Sequence, residues 1–204
     1  MLLNSEEVLD LIHRMERLIP DAKSELEYED PFHLLIAVIL SAQSTDKQVN
    51  KIAPALFEAF PDPLSMSLAS SKEVEPYIQS LGLYRNKAKY LVSAAQKIVA
   101  DYQGEVPRTR KELMSLAGVG RKTANVVLSI VFNTPAIAVD THVERVCKRL
   151  GIVEKDATPL QIEKTLMEKL PEEYWSKAHQ LLVLFGRYYC TSRSKECFEY
   201  LENV

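Results

Sequence analysis

The chain has 204 residues, of which 47% are hydrophobic and 26% charged, and its formal net charge is −3. These values are ordinary for a soluble globular protein of one domain or two small ones. No apolar run is long enough to cross a bilayer, and the acidic, amphipathic N-terminus is not a signal peptide. Three cysteines are too few for a disulfide framework, so we expect reduced thiols in the cytoplasm.

The predicted elements are helices along the whole chain, because apolar residues recur at helical spacing and no alternating pattern persists. The segment Pro31–Leu40 is too apolar for a surface helix and is expected near the centre of a core. Pro61-Asp62-Pro63 is predicted as a turn. Eight predicted helices cover 2–19, 31–40, 83–101, 110–116, 121–132, 141–150, 159–170 and 172–189. A further helix, capped by residue 44, 45 or 46, reaches 60, and a short one, capped by residue 70 or 71, reaches 79.

The most informative segment is Ala117–Val127, in which Gly118-Val119-Gly120 forms a glycine-hinged turn that opens a helix. A turn of this kind can hold a phosphate with backbone N–H groups, and its two glycines permit close approach. The alternative is a plain tight turn between packed helices. We favour a phosphate-binding turn because Arg121-Lys122-Thr123 follows it immediately.

Two residues near this turn suggest chemistry. Lys122 lies in the first helical turn, where the positive end of the helix dipole and Arg121 favour a neutral, nucleophilic amine. From spacing alone, a surface lysine that only contacts phosphate is the simpler interpretation. Asp140, eighteen positions downstream, can stabilise positive charge on a substrate or merely cap the helix from Thr141. His142 is expected to be structural and to help orient Asp140.

The positive charge of the chain is concentrated around the turn. The segment Val106–Leu150 carries eight basic and three acidic residues, a net charge of +5, which leaves −8 for the remainder. A solvated helix face is the ordinary explanation of such a run. Because the charge coincides with the phosphate-binding turn, we favour a footprint for a DNA backbone. The basic residues are Arg108, Arg110, Lys111, Arg121, Lys122, Arg145, Lys148 and Arg149.

Taken together, these segments resemble endonuclease III, a helix-hairpin-helix DNA glycosylase with AP lyase activity. The resemblance runs in order over nearly the whole chain. Besides 117–127, it rests on the segments 34–46, 81–88, 138–142 and 185–190. It implies an all-α fold of two helical lobes, with a helix-hairpin-helix motif and a DNA cleft between the lobes. The central lobe would be 24–134, and both termini, 1–23 and 135–204, would form the second.

The resemblance also implies roles for individual residues. Lys122 would be the nucleophile of a bifunctional glycosylase and lyase, with Asp140 assisting. After the damaged nucleotide is flipped out, Gln43 would fill the hole in the base stack and Leu83 would wedge into the opposite strand. From sequence alone, Gln43 is a loop cap and Leu83 a core contact. The residues expected to contact the DNA are Gly118, Val119, Gly120, Arg121, Thr123, Gln43 and Leu83.

The sequence departs from the family near its C-terminus. Many relatives hold a [4Fe–4S] cluster with four cysteines spaced C-x₆-C-x₂-C-x₅-C. Here Cys190 and Cys197 have the first spacing, but the third position is Tyr200. We therefore predict no iron–sulfur cluster. A Cys190–Cys197 disulfide is not expected in a reducing cytoplasm. The loop would instead be held by its own packing, with Tyr188, Tyr189, Phe198 and Tyr200 as apolar contacts.

The function expected from the resemblance is base excision repair of oxidised pyrimidines such as thymine glycol, with cleavage 3′ to the abasic site by β-elimination. A mismatch-specific thymine glycosylase of the same superfamily is the nearest alternative. A non-catalytic, structure-specific DNA-binding module is the alternative from another class. We expect a monomeric, cytoplasmic, nucleoid-associated bacterial protein whose partner is damaged double-stranded DNA, with no external cofactor, no metal and no membrane association.

Overall fold

A computed structural model of the chain describes residues 2–194, 196–202 and 204. In these ranges the regular structure is helical and contains no β-strand, which confirms the predicted all-α class. None of the described helices is both long and apolar enough to cross a membrane. The α-helices are α1 (Ser5–Leu18), α2 (Pro31–Leu40), α3 (Asp46–Ala59), α4 (Pro63–Leu68), α5 (Ser71–Ile78), α6 (Tyr84–Tyr102), α7 (Arg110–Leu113), α8 (Arg121–Val131), α9 (Thr141–Arg149), α10 (Pro159–Lys169), α11 (Trp175–Tyr188) and α12 (Glu199–Glu202), and Glu172–Tyr174 is a 3-10 helix.

Short polar motifs in the sequence determine where several helices begin. Asn4, Thr45, Ser70 and Thr158 precede α1, α3, α5 and α10, and each forms a capping box with a Glu or Gln three positions later. Each pair satisfies two backbone N–H groups that have no partner within the helix. A cap of this kind contributes about 1 kcal/mol, so these boundaries are encoded locally.

The chain divides into two compact units, and the central unit spans Glu25–Phe132. Its core is α2, in which every residue from Phe32 to Leu40 is buried. That complete burial explains why the sequence of α2 shows no polar face. Helices α3, α6 and α8 pack against α2, and α4 and α5 pack against α6.

The terminal unit combines Met1–Ser24 with Asn133–Val204. In it, α1 packs against α10, α11 and α12, and α9 packs against α11. The last pair approaches closely at Gly186, where an added Cβ would lie 2.9 Å from the Cβ of His142. The fully buried core includes Val8, Ile12, Met15, Val143, Val146, Leu166, Leu181 and Phe185. The predicted central range, 24–134, differs from the observed unit by one residue at its start and two at its end.

Two short helices were not predicted. Pro61-Asp62-Pro63 is not only a turn, because Asp62 caps α4 by accepting a hydrogen bond from the Ser65 N–H at 2.7 Å. Pro63 suits the first helical position, since its φ is fixed and it needs no N–H partner there. The other missed helix, α12, has a single turn and buries only Leu201.

Candidate active site

The hairpin between α7 and α8 is held by its own side chains. Arg110 Nε donates to Asn125 Oδ1 at 2.7 Å, and the Asn125 side chain is buried. Gly118 lies in the left-handed region at φ +77°, and a Cβ there would meet the Tyr90 side chain at 3.0 Å. Glycine is therefore required at this position by both backbone conformation and space.

The start of α8 leaves room for a ligand. Gly120 is its N-cap residue and has no side chain with which to cap the first turn. A Cβ built on Gly120 would meet nothing within 4 Å. The N–H of Val119, which the sequence predicted to face a phosphate, donates to the Leu116 carbonyl at 3.2 Å. The donors offered to an anion are therefore those of Gly120 and the first turn of α8, at the positive end of the helix dipole.

These two glycines allow a stability test. We expect Gly118→Ala to lower the free energy of unfolding by about 2 kcal/mol, because an L residue is strained at this φ and its methyl group meets the Tyr90 ring. Gly120→Ser is the matched control, since φ there is −91° and serine is a good N-cap residue. Urea denaturation of both variants measures the difference. Equal stability of Gly118→Ala and the wild type would contradict this account of the turn.

Lys122 is the second residue of α8, and its side chain is exposed. Arg121 and Thr123 flank it and are half-buried. The lysine amine is thus carried on a fixed helix end, beside the donors of the hairpin. This arrangement can bring an amine to a substrate whose phosphate is held at the same turn.

Asp140 is fixed by the helix that it caps. Its Oδ1 atom accepts hydrogen bonds from the N–H groups of His142 and Val143, both at 2.9 Å. Within the part of the chain that the structure describes, Oδ2 accepts no hydrogen bond. The carboxylate is half-buried, so it combines a rigid position with one oxygen available to a substrate. The capping role and a catalytic role are compatible.

A second layer of contacts supports Asp140. Arg145 Nη2 donates to the Gly186 carbonyl at 2.6 Å and lies 3.0 Å from His142 Nδ1. Burial lowers the pKa of the Arg145 guanidinium, the charge of Arg149 adds to this effect, and Asp140 opposes it. His142 therefore belongs to the structural support of α9, which agrees with its expected structural role.

The loops that carry Gln43 and Leu83 lie together in the central unit. Both residues have left-handed backbones, with φ of 56° and 58°. Gln43 is exposed, and Leu83 is 57% exposed at the start of α6. A Cβ on Gly82 would lie 3.6 Å from the Gln43 carbonyl oxygen. An exposed leucine in a left-handed turn is not a core contact, which removes the simpler interpretation of Leu83.

The C-terminal loop corrects one expectation. Cys190 and Cys197 form a disulfide, with their Cα atoms 4.9 Å apart. The loop folds back because Arg149 Nη1 and Nη2 donate to the carbonyls of Thr191 and Ser192, at 2.6 and 3.1 Å. This return brings the two cysteines within the Cα separation that a disulfide requires.

The predicted aromatic packing is only partly present. Tyr189 stacks on Phe185, and the edge of Tyr200 meets the Tyr189 ring. Tyr188, Phe198 and Tyr200 are 59%, 43% and 45% exposed, so of the four only Tyr189 is mostly buried. Leu201, which was not predicted, fills the core position in this segment with no exposed surface.

The donors in this segment do not fit a four-thiolate cluster. Cys190 and Cys197 are bonded to each other, and Tyr200 stands at the third ligand position. The remaining cysteine, Cys147, is buried in α9, and burial raises the pKa of its thiol far above the usual range. Among the residues described by the structure, no group of three or more His, Cys, Asp or Glu could hold a metal ion.

Comparison with known proteins gives a consistent result. The family described as "HhH-GPD superfamily base excision DNA repair protein" matches residues 36–172. The protein named Endonuclease III from Bacillus subtilis (strain 168) is 48% identical over 198 residues, which are 97% of this chain and 90% of that protein.

Solved structures show the same similarity. A trapped endonuclease III–DNA covalent intermediate, in an estranged-adenine complex, superposes with a TM-score of 0.92 at 49% identity. The match covers 95% of this chain and 91% of that one. A non-covalent endonuclease III–DNA complex gives the same TM-score and identity, over 95% of this chain and 90% of the other.

Proposed function

The chain belongs to the endonuclease III family of the HhH-GPD superfamily, and from this membership we propose that Lys122 and Asp140 are its catalytic residues. It is a base excision repair DNA glycosylase with AP lyase activity. The observation that carries the residue assignment is the position of Lys122, an exposed amine on the first turn of α8 beside the uncapped hairpin turn. A covalent enzyme–DNA intermediate needs a nucleophile at such a place.

The proposed reaction begins with an extruded nucleotide. The Lys122 amine attacks C1′ of the deoxyribose, the bond from C1′ to the base breaks, and the base leaves with a proton taken up from water. The Asp140 carboxylate stabilises the positive charge that develops at C1′ and accepts the proton from the attacking amine. The sugar ring then opens as its oxygen takes the proton that Asp140 accepted, which gives a protonated Schiff base between Lys122 and C1′.

Strand cleavage follows from this Schiff base. A proton is lost from C2′ to a general base, and the bond from C3′ to the phosphate oxygen breaks by β-elimination. Water then hydrolyses the imine, which releases an unsaturated aldehyde and restores the Lys122 amine. Base displacement, ring opening, β-elimination and imine hydrolysis consume only water, so the reaction needs no external cofactor.

The hairpin supplies DNA affinity in this proposal. Backbone donors of Gly120 and the first turn of α8 hold a phosphate, while Arg121 and Thr123 contact the backbone beside it. Gly118 shapes the turn, and Val119 supports it from within. Such contacts fix the position of the enzyme on the duplex without reading its sequence.

We propose oxidised pyrimidines as the lesion class, on the strength of the family alone. Single-turnover excision from matched duplexes that contain thymine glycol, or thymine opposite guanine, tests this assignment. Faster excision of thymine glycol is expected. Preferential removal of thymine from the mismatch would contradict it. A monomer at the bacterial nucleoid remains our expectation and is testable by light scattering and imaging.

We further propose that the protein works without an iron–sulfur cluster. The disulfide and the Arg149 contacts take over the task of holding the 190–197 loop. Elemental analysis of protein purified without oxygen is expected to find no stoichiometric iron, and the protein is expected to cleave abasic DNA. About four irons per chain, the content of one [4Fe–4S] cluster, would contradict the proposal.

A further inference from the structure

A buried lysine lies between the loops that carry Gln43 and Leu83. Lys87 is in the first turn of α6, and only 3% of its surface is exposed. Its Nζ atom donates to Ser44 Oγ at 2.9 Å. Within the described residues, Lys87 forms no ion pair with a carboxylate, and burial lowers the pKa of its amine.

Lys87 touches both loops at once. Its side chain reaches Ser44, the residue after Gln43, while its backbone N–H forms the first hydrogen bond of α6, to the Leu83 carbonyl at 3.0 Å, which places Lys87 one helical turn after Leu83. Gly82 lies on the other side of the same junction, against the Gln43 carbonyl. Gln43 and Leu83, the two exposed residues with left-handed backbones, are therefore connected through the first turn of α6.

Simple packing does not explain this choice of residue. Desolvating an amine that lacks a carboxylate partner is unfavourable, and a methionine would occupy a similar volume without that cost. A hydrogen bond from a lysine to a hydroxyl, by contrast, is directional and fixes one arrangement of the two loops.

We infer that Lys87 is a positioning residue. Through its hydrogen bond to Ser44 it holds the Gln43 loop against the Leu83 turn, so that the Gln43 and Leu83 side chains enter the duplex together. This inference rests on the proposed function and on the roles that the family resemblance implies for Gln43 and Leu83. Without this hydrogen bond, each loop must be ordered separately when DNA binds. The entropy lost in ordering two separate loops then lowers the fraction of complexes in which the damaged nucleotide stays extruded from the duplex.

The test uses paired variants. Lys87→Met and Ser44→Ala each remove the hydrogen bond from one side, and Ser44→Thr keeps the hydroxyl. Lys89→Met is the matched control, because Lys89 is an exposed lysine on the same helix. Thermal melting first identifies the variants that fold. If Lys87→Met does not fold, Ser44→Ala against Ser44→Thr still decides the question.

Two readouts distinguish positioning from general stability. The first is single-turnover excision of thymine glycol from a duplex. The second is the fluorescence of 2-aminopurine placed opposite an abasic analogue, measured at saturating protein, which reports disruption of the base stack. Lys87→Met and Ser44→Ala are expected to slow excision about tenfold, the value of one hydrogen bond to a charged group, and to reduce the fluorescence change. The double variant is expected to lose no more than either single variant.

The outcomes separate the inference from the proposed function. Normal excision and fluorescence in Lys87→Met and Ser44→Ala would overturn the inference, as would equal loss in Ser44→Thr and Ser44→Ala. Absence of both excision and abasic-site cleavage in the wild type would instead overturn the proposed function. Normal excision and fluorescence in Lys89→Met and Ser44→Thr, with both reduced in Lys87→Met and Ser44→Ala, would establish the positioning role of Lys87.

Discussion

Lys122→Ala is expected to lose AP lyase activity by a factor on the order of 10³ or more, because no other group then forms the Schiff base. Its affinity for abasic DNA should change little at moderate salt, since the backbone donors of the hairpin remain. Single-turnover cleavage of an abasic duplex and equilibrium binding measure the two effects separately.

The control for Lys122→Ala is Lys111→Ala. Lys111 is an exposed lysine on α7 within the same positively charged segment. Its loss is expected to weaken binding modestly and to reduce its salt dependence, without affecting the cleavage step. If both variants lost only affinity and both still cleaved at saturating protein, the chain would hold its nucleophile elsewhere.

Asp140→Asn is expected to reduce base excision by about 10²- to 10⁴-fold, the usual contribution of a charged acid–base group. Its stability should match that of the wild type. The Oδ1 atom that caps α9 is replaced by an amide oxygen, and asparagine caps helices as well as aspartate does. Single-turnover excision and thermal denaturation of the same preparation give both quantities.

Asp140→Ala serves as the comparison, because it removes charge and cap together. We expect the same loss of rate with an additional loss of about 1 kcal/mol in the free energy of unfolding. An Asp140→Asn variant that is destabilised yet catalytically normal would show that the carboxylate acts only as a helix cap.

The sequence predicted most of this architecture because its signals are local. Capping residues such as Thr45 and Thr158 set helix starts, and the apolar run of α2 marked the core. The turn around Gly118 was recognisable because glycine is the residue that tolerates its φ and its proximity to Tyr90. Asp62 shows where local signals fail to predict a helix. It caps α4, but an aspartate between two prolines has the composition of a turn.

Features that depend on tertiary contacts were not predictable in this way. The Val119 N–H is used inside the turn, which the order of residues does not reveal. The Cys190–Cys197 bond lies in a loop that is held by Arg149, a residue distant in sequence. Nothing in the sequence distinguishes Lys87 from the exposed Lys89 of the same helix, because its burial results from the fold of another loop.

We expect Lys122 to form a covalent bond with DNA at an abasic site. Wild-type protein should be incubated with a duplex that contains an abasic site, treated with borohydride, digested and mapped by mass spectrometry. We predict a reduced adduct on the peptide that contains Lys122, and no adduct with folded Lys122→Ala. A stable adduct on another residue, or no adduct from wild type that binds the duplex, would show that Lys122 is not the nucleophile.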